Sequence, residues 1–410
     1  MHVLIIAQYF PPDIGGASTR AYNAAKGLVL QGCIVTVLTS FPHYPHGKIP
    51  DKYKGKFLVR EEMDGIELIR TWIPSIPHSS VSKRIRLHLA FVMSCTLMLP
   101  RVSKCDIVFA MNPNLIAFLP AMAYRILNRK QIIRNIDDLW PEVFYELGIV
   151  KSSLMKKILD YFARKSYEIP AILIPISHGY VPTLVNKYKI PPEKIVVIEH
   201  GVDVNRFRSN QDSIAIPDIM RGIEPKKKIV MYSGALNRGY DFELVLEAAK
   251  LLQSEPIFFV IRGSGELQDE LGKMVKSYNL PNVKFETKLL TNEELVTLLN
   301  AADIFLLPLI PSGVVDQGLP TKILEYQALG KPIVCISSGE PARYVNETQS
   351  GLVTRPHQPQ ELAAAIMKLA QDTNLAKQLG TNGSKYIQDN LTLEIVGARL
   401  MEIINRVLAR

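Results

Sequence analysis

The chain has no C-x-x-C pair. Its four cysteines, Cys33, Cys95, Cys105 and Cys335, are scattered, so neither a zinc site nor a disulfide framework is indicated and a reducing, cytosolic compartment is expected. The opening MHVLIIAQYF runs into a Pro-Pro turn and reads as a first strand; it is not a charged-then-apolar leader with a cleavage site. The apolar centre of SKRIRLHLAFVMSCTLMLPRVSK (82–104) is thirteen residues, Leu87 to Leu99. At about 1.5 Å per residue it is too short as a helix for a bilayer core of about 30 Å. What is present is globular in kind: 410 residues, 47% hydrophobic and 21% charged, a length that suits two domains of roughly 200 residues each.

The formal net charge is +9, and it is unevenly placed. Residues 1–205 carry 25 Lys and Arg against 16 Asp and Glu, whereas residues 206–410 carry 23 of each. A basic first half is either a merely soluble surface or the footprint of an anionic partner: nucleic acid, an acidic membrane face or a phosphorylated substrate. Nucleic acid is the weakest of these, because the strand-end loops have no interleaved aromatic platforms.

Continuous apolar runs punctuate both halves. VLIIAQ, IVTVLTS, DIVFAM, QIIRNID and AILIPIS read as strands in the first, and KIVMYSG, IFFVIRG, VKFETKL, DIFLLPL and PIVCI in the second. Such runs are buried on both faces, as in parallel sheets, and RAYNAAKGLVLQG, DFELVLEAAKLLQ and TNEELVTLLNAAD supply crossover helices between them. The expectation is α/β, with two doubly wound, Rossmann-like parallel-sheet domains facing a cleft. They would span 1–205 and 206–390, joined near VDVNRFRSNQDSIAIPDI, with a helix at 391–410 returning to the first domain. Ligands are expected at the carboxyl ends of strands.

Several strand-end loops carry candidate residues. Gly15 and Gly16 follow the first strand and let a ligand approach the next helix, or form an ordinary tight turn; the loop lacks G-x-G-x-x-G spacing. Arg238 follows KIVMYSG, and Arg262 and Gly263 end IFFVIRG; both arginines suit bidentate phosphate pairing or an ordinary surface. GLPTKILEYQALGKPIV (318–334) reads as turn, short helix and strand, with Gly330 as a left-handed cap and Pro332 blocking continuation. Its amino end, led by Thr321 and Lys322, can hold an anion, and Glu325 lies on the same side; a dipole-favoured surface glutamate is the plainer alternative.

In their order and spacing, HGVDVNRF (200–207), SGALNRG (233–239), RGSGEL (262–267), NEELVTLLNAADIFLLPL (292–309) and GKPIV resemble retaining glycosyltransferases of the GT-B fold, the family 4 class. YFPPDIGGASTR (9–20), TSFPHYPHGK (39–48) and DDLWPE (137–142) are similar to strings of its surface-polysaccharide branch, which transfers amino-deoxy sugars such as N-acetylfucosamine. The resemblance spans nearly the whole chain.

It implies that the Thr321 helix faces a donor diphosphate and that Glu325 accepts hydrogen bonds from ribose hydroxyls. Arg238 would stabilise the leaving diphosphate, with Lys322 or Arg262 supplying the second positive charge that relatives place beside it. Gln317 stands where the family's paired-glutamate motif has its first glutamate, and an amide cannot act as nucleophile or base; Gln317 and Asp316 become candidate sugar contacts. Asp138, next to Asp137, either aligns the acceptor hydroxyl or caps the following helix, and Glu142 is a further acceptor-side candidate. Retaining members of this class react by departure and attack on one face of the sugar. No cofactor is implied beyond the nucleotide-sugar donor, and the absence of any D-x-D string agrees with metal-independent transfer.

The segment 82–104 is read either as an interfacial helix, its Lys83, Arg84 and Arg86 meeting an anionic membrane, or as a buried crossover helix. The resulting expectation is a cytoplasmic enzyme, peripheral at the inner face of the cell membrane. It would move a sugar, an N-acetylated deoxyhexose or hexosamine, from a UDP-linked donor to a lipid-linked glycan. A UDP-N-acetylhexosamine 2-epimerase on the same fold and an inactive nucleotide-sugar-binding assembly subunit are the alternatives.

Overall fold

The computed structural model describes residues 1–44, 47–77, 81–111, 115–146, 148–207 and 218–409. The expected join near 202–219 and the HYPH string therefore lie partly outside the described residues. By contacts the chain forms two compact units, Met1–Gly201 with Leu393–Arg410, and Val202–Thr392.

The first unit is built on a seven-stranded sheet: β1 (His2–Ile6), β2 (Ile34–Ser40), β3 (Leu58–Met63), β4 (Ile66–Thr71), β5 (Ile107–Met111), β6 (Ile132–Ile136) and β7 (Ile172–Pro175), in the order β3-β4-β2-β1-β5-β6-β7. All pairs are parallel except β3 with β4. That hairpin was not among the expected strands. Its Val-Arg-Glu-Glu stretch lacks a continuous apolar run, but Asp64 and Gly65 take φ 52° and 80°, the geometry of a two-residue hairpin turn.

Among the described residues, five α-helices connect these strands: α1 (Gly16–Leu30), α2 (Val81–Met98), α3 (Leu119–Asn128), α4 (Glu142–Glu146) and α5 (Ser153–Glu168). α2 packs Leu87, Phe91 and Cys95 into one core with Leu4, Ile6 and Val108 of the sheet and Ala121 and Tyr124 of α3, so it is a crossover helix with one buried face. Among the described residues no helix is long and apolar enough to cross a membrane. The final helix of the chain, Leu393–Leu408, lies against α1. There the backbones meet at two glycines: a Cβ on Gly397 would stand 2.2 Å from the Gly27 carbonyl oxygen, a contact closed to any other residue.

The second unit holds β8 (Lys228–Ala235), β9 (Ile257–Ser264), β10 (Val283–Glu286), β11 (Ile304–Pro308), β12 (Ile333–Ile336) and β13 (Gly351–Thr354), ordered β10-β9-β8-β11-β12-β13 and parallel throughout. This is the doubly wound order that reverses between β8 and β11. Its helices are α6 (Phe242–Leu251), α7 (Gln268–Tyr278), α8 (Asn292–Asn300), α9 (Thr321–Ala328), α10 (Glu340–Glu347), α11 (Pro359–Gln371) and α12 (Thr373–Asn390). Thr291 and Glu294 form a reciprocal capping box at the start of α8, which satisfies two otherwise unpaired donors.

Candidate functional site

In the second unit the strand order reverses between β8 and β11, and α9 follows β11, so the loops there converge as such folds require of a ligand site. Register aligns Ser233 with Arg262 and Gly234 with Gly263. The two glycines touch: a Cβ on Gly263, whose φ is +154°, would overlap the Gly234 carbonyl oxygen at 1.7 Å. Across Gly234 runs Lys322 from the first turn of α9, its Cε 2.0 Å from where a Cβ would stand. The Lys322 ammonium donates to the Tyr240 hydroxyl at 2.8 Å and lies 4.1 Å from the Tyr240 ring centre and 4.9 Å from that of Tyr232. Two tyrosine faces thus hold a cation at the amino end of α9.

Thr321 is the first residue of α9, and no side chain caps that end. Glu325, one turn on, is half-buried. Burial raises its pKa above the ordinary value, against the opposing charges of Arg206 and Lys322. Tyr326 fixes the helix to β8, its hydroxyl donating to the Ser233 carbonyl and accepting from the Ser233 amide, both at 3.2 Å. Arg238 is exposed on the loop after β8, which Asn237 shapes by accepting from the Gly239 amide at 3.0 Å. Arg262 is only 8% exposed; its guanidinium donates to the Ser233 hydroxyl and, at 3.2 Å, to the Lys288 carbonyl. Burial lowers the Arg262 pKa. Asp316 is buried and accepts from Ser337 and Ser338 at 2.9 and 3.3 Å, and the Gln317 amide donates to the Gly313 carbonyl.

Lys322, Gly263 and Arg262 are therefore gathered around Gly234 and Ser233, and Thr321 and Glu325 sit on the same short helix as Lys322. Asp316 and Gln317 belong to the turn before it, where their bonds shape the loop. The sequence reading missed Tyr232, Tyr240 and Tyr326. The run Ala-Leu-Asn-Arg-Gly-Tyr places Tyr240 two residues after Arg238, and that spacing was the available signal.

In the first unit the order reverses between β1 and β5. Gly15 and Gly16 lie exposed at the start of α1, whose end has no side-chain cap. Gly15 takes φ +146°, and a Cβ there would stand 3.2 Å from the Tyr44 ring. Behind them Asp13, buried, accepts from the His43 and Tyr44 amides at 2.6 and 2.8 Å, yet desolvation raises its pKa to about 7.

Asp137 and Asp138 follow β6. Asp137 is buried and accepts from Asn135 at 2.6 Å, with Arg20 Nε and His200 Nε2 each 3.5 Å away. Burial raises the Asp137 pKa against the Arg20 charge, and burial followed by Arg20 drives that of His200 well below its usual value, so the imidazole is neutral. Asp138 is half-buried; burial raises its pKa, Arg20 opposing. Among the described residues it makes no capping bond to α4. Glu142 instead is committed to Lys187 and Tyr188, accepting at 2.9 and 2.5 Å. Lys83, Arg84 and Arg86 lie on the first turns of α2, where the Arg84 charge reaches Tyr9 and Tyr44 beside Asp13 and Gly15. Arg20, His200 and Asp13 were missed by the sequence reading, although all three fall within or beside the quoted strings.

Residues 14–206 match the family model "Glycosyltransferase Family 4", and residues 219–386 match "Glycosyl transferases group 1". The chain is 25% identical to the "Putative colanic acid biosynthesis glycosyl transferase WcaI" of Escherichia coli (strain K12), covering 99% of this chain and all of that protein. Among solved structures it is similar to sucrose-phosphate synthase from Thermosynechococcus elongatus, with TM-score 0.74, 16% identity and coverage of 100% and 99% of the two chains. It is also similar to HepE from Anabaena in complex with UDP, with TM-score 0.67, 16% identity and coverage of 99% and 100%. With one family model on each half and two doubly wound units to carry them, the chain belongs to the glycosyltransferases of the GT-B fold.

Proposed function

We propose that the protein is a retaining, metal-independent glycosyltransferase of surface-polysaccharide assembly, moving an N-acetylated deoxyhexose or hexosamine from a UDP-linked donor to a lipid-linked glycan at the inner face of the cell membrane. The observation that carries this reading is the amino end of α9, where Lys322 is held over Gly234 and Glu325 follows one turn later. An open helix end and a fixed cation suit a diphosphate, and an ionised carboxylate takes two ribose hydroxyl donors. The solved complex of the similar HepE with UDP supports the donor, and the similarity to the "Putative colanic acid biosynthesis glycosyl transferase WcaI" supports the pathway class.

In this reading the bond from the anomeric carbon to the diphosphate breaks while the acceptor oxygen bonds on the same face. The acceptor proton passes to the departing phosphate oxygen. Arg238 meets the charge that grows on the leaving group, which stabilises the transition state more than the bound donor. Asp138 aligns the acceptor hydroxyl, and the open Gly15–Gly16 end of α1 offers backbone amides to an anionic group. Arg20 and neutral His200 keep Asp137 in place beside Asp138.

A thermal-shift series with UDP, GDP and ADP sugars tests the donor, since a ligand that binds only the folded chain raises Tm. Stabilisation by UDP sugars above the others is expected, and no response to any nucleotide sugar would sink the reading. Incubation with a UDP-N-acetylhexosamine alone should leave it unepimerised. Proton NMR of the product formed with acceptor should show the donor's anomeric configuration kept.

A further inference from the structure

α5 is laid on the sheet with its larger apolar face outward. The buried side is Ala163, Ser166 and Tyr167, whereas Leu154, Met155, Ile158, Tyr161 and Phe162 are 67%, 47%, 41%, 59% and 54% exposed. At 100° per residue those five fall within a third of the helix circumference, opposite Tyr167. A helix of a self-sufficient domain would present the reverse.

α2 repeats the pattern. Ile85, Leu89, Met93 and Leu97, four residues apart in turn, are 47–56% exposed, on the side away from Leu87, Phe91 and Cys95. On α3, Ile126 and Leu127 are 74% and 64% exposed. The three helices cover the same face of the first sheet. Arg134 of β6 lies 4.9 Å from the Phe118 ring at the start of α3 and 4.8 Å from the Tyr167 ring of α5, α2 and α3 share one core, and Arg125 of α3 donates to the Ile169 carbonyl at the end of α5.

The charge on this layer is predominantly positive. Residues 82–104, 119–131 and 151–168 together hold thirteen Lys and Arg and two acids. Both acids are occupied: Asp160 accepts from Tyr145 and Lys187, and Glu168 from Arg164 and Lys165. Between α3 and β6 a shallow recess is lined by Arg125, Ile126, Arg129, Lys130 and Gln131, so cations gather there as well. Apolar stripes bordered by lysine and arginine, with a tyrosine and a phenylalanine at one level, fit the boundary of an anionic bilayer. A polar protein partner would leave the stripes unmatched.

We infer that the α2–α3–α5 layer docks flat on an anionic membrane, with α5 inserting Leu154, Ile158, Tyr161 and Phe162 among the acyl chains. The inference rests on the lipid-linked-acceptor reading only for its purpose; its observations are separate. The test is co-sedimentation with vesicles of phosphatidylcholine alone and of phosphatidylcholine mixed with phosphatidylglycerol, at low and high salt. UDP affinity is measured in parallel by calorimetry without vesicles. Wild type should bind only the anionic vesicles. Ile158→Ser with Phe162→Ser should weaken that binding by at least about tenfold, and Lys156→Gln with Lys157→Gln by roughly thirtyfold at low salt. UDP affinity should be unchanged in both. Wild-type indifference to anionic vesicles, or an apolar variant that binds as wild type does, overturns the inference. So does sedimentation as a dimer that the apolar variant dissociates, which would make the face a subunit interface. Loss of UDP affinity in wild type would sink the donor reading and leave the vesicle result standing.

Discussion

Lys322 crosses Gly234 so closely that a methyl group at position 234 would lie 2.0 Å from its Cε. The glycine is thus part of how the cation is aimed. Gly234→Ala should push the ammonium off the Tyr240 face and lower UDP affinity nearly as far as Lys322→Ala does. Charge-assisted bonds of this kind are worth about 1.5–3 kcal/mol, so both variants should lose roughly tenfold or more by calorimetry. Unchanged affinity in Gly234→Ala would mean that Lys322 reaches the ligand from another rotamer.

Glu325 is held partly buried with its ionised form disfavoured. Glu325→Gln should therefore raise Tm at neutral pH while weakening UDP binding, because the neutral amide removes a desolvation penalty and also an acceptor of two hydroxyls. The paired measurement of Tm and affinity checks it. A fall in both would mark the residue as structural.

Arg238 and Arg262 should separate. Arg238, exposed on its loop, is expected to lower turnover on mutation to alanine by about a hundredfold, with nucleotide affinity and Tm retained. Arg262→Ala should cost about 1–3 kcal/mol of stability, since it leaves buried groups on Ser233 and Lys288 without their donor. Denaturant titration and single-turnover rates distinguish the two.

Asp13 gives a pH dependence with a definite sign. An acid whose native pKa lies above its unfolded value binds its proton more tightly when folded, so stability falls as pH rises between the two. For Asp13 that window runs from 3.8 to about 7, with a slope of at most about 1.4 kcal/mol per pH unit. Asp13→Asn should flatten the urea-denaturation midpoint across the window. An unaltered slope would place the titration elsewhere.

The cations of α2 offer a check apart from α5. Lys83→Gln with Arg86→Gln should reduce binding to anionic vesicles, and the loss should fade with salt, whose screening length is about 10 Å at 0.1 M. Transfer to a short soluble acceptor should hardly change. Equal loss with both acceptors would assign these residues to the reaction.

Most of the sheet was legible because parallel strands buried on both faces are apolar throughout; β1, β2, β9 and β11 announce themselves in this way. β3 was missed because it is an edge strand with one wet face, β4 because Glu67 and Arg70 interrupt its apolar run although the strand is buried, and β13 because it is only four residues long; Asp64-Gly65 marked the turn between the first two. At the site, legibility followed chain continuity. Thr321, Lys322 and Glu325 lie within one turn and a half of helix, so helical geometry alone groups them. Asp137, Arg20 and His200 come from three distant segments, and no local pattern says that they meet. α2 had been read as either interfacial or buried. It is buried on one side and bare on the other, a combination that composition averages away.

The glycine crossing of Gly27 and Gly397 has a consequence for biosynthesis. Because Leu393–Leu408 completes the first unit after all of Val202–Thr392 has been made, that unit is unfinished when its own sheet has emerged from the ribosome. The stripe of α1 that bears Gly27, and Gln31, which donates to the Glu394 carbonyl, must wait uncovered through synthesis of the whole second unit. A nascent chain released early would carry a folded second unit and an open first one, a natural target for chaperones and proteases.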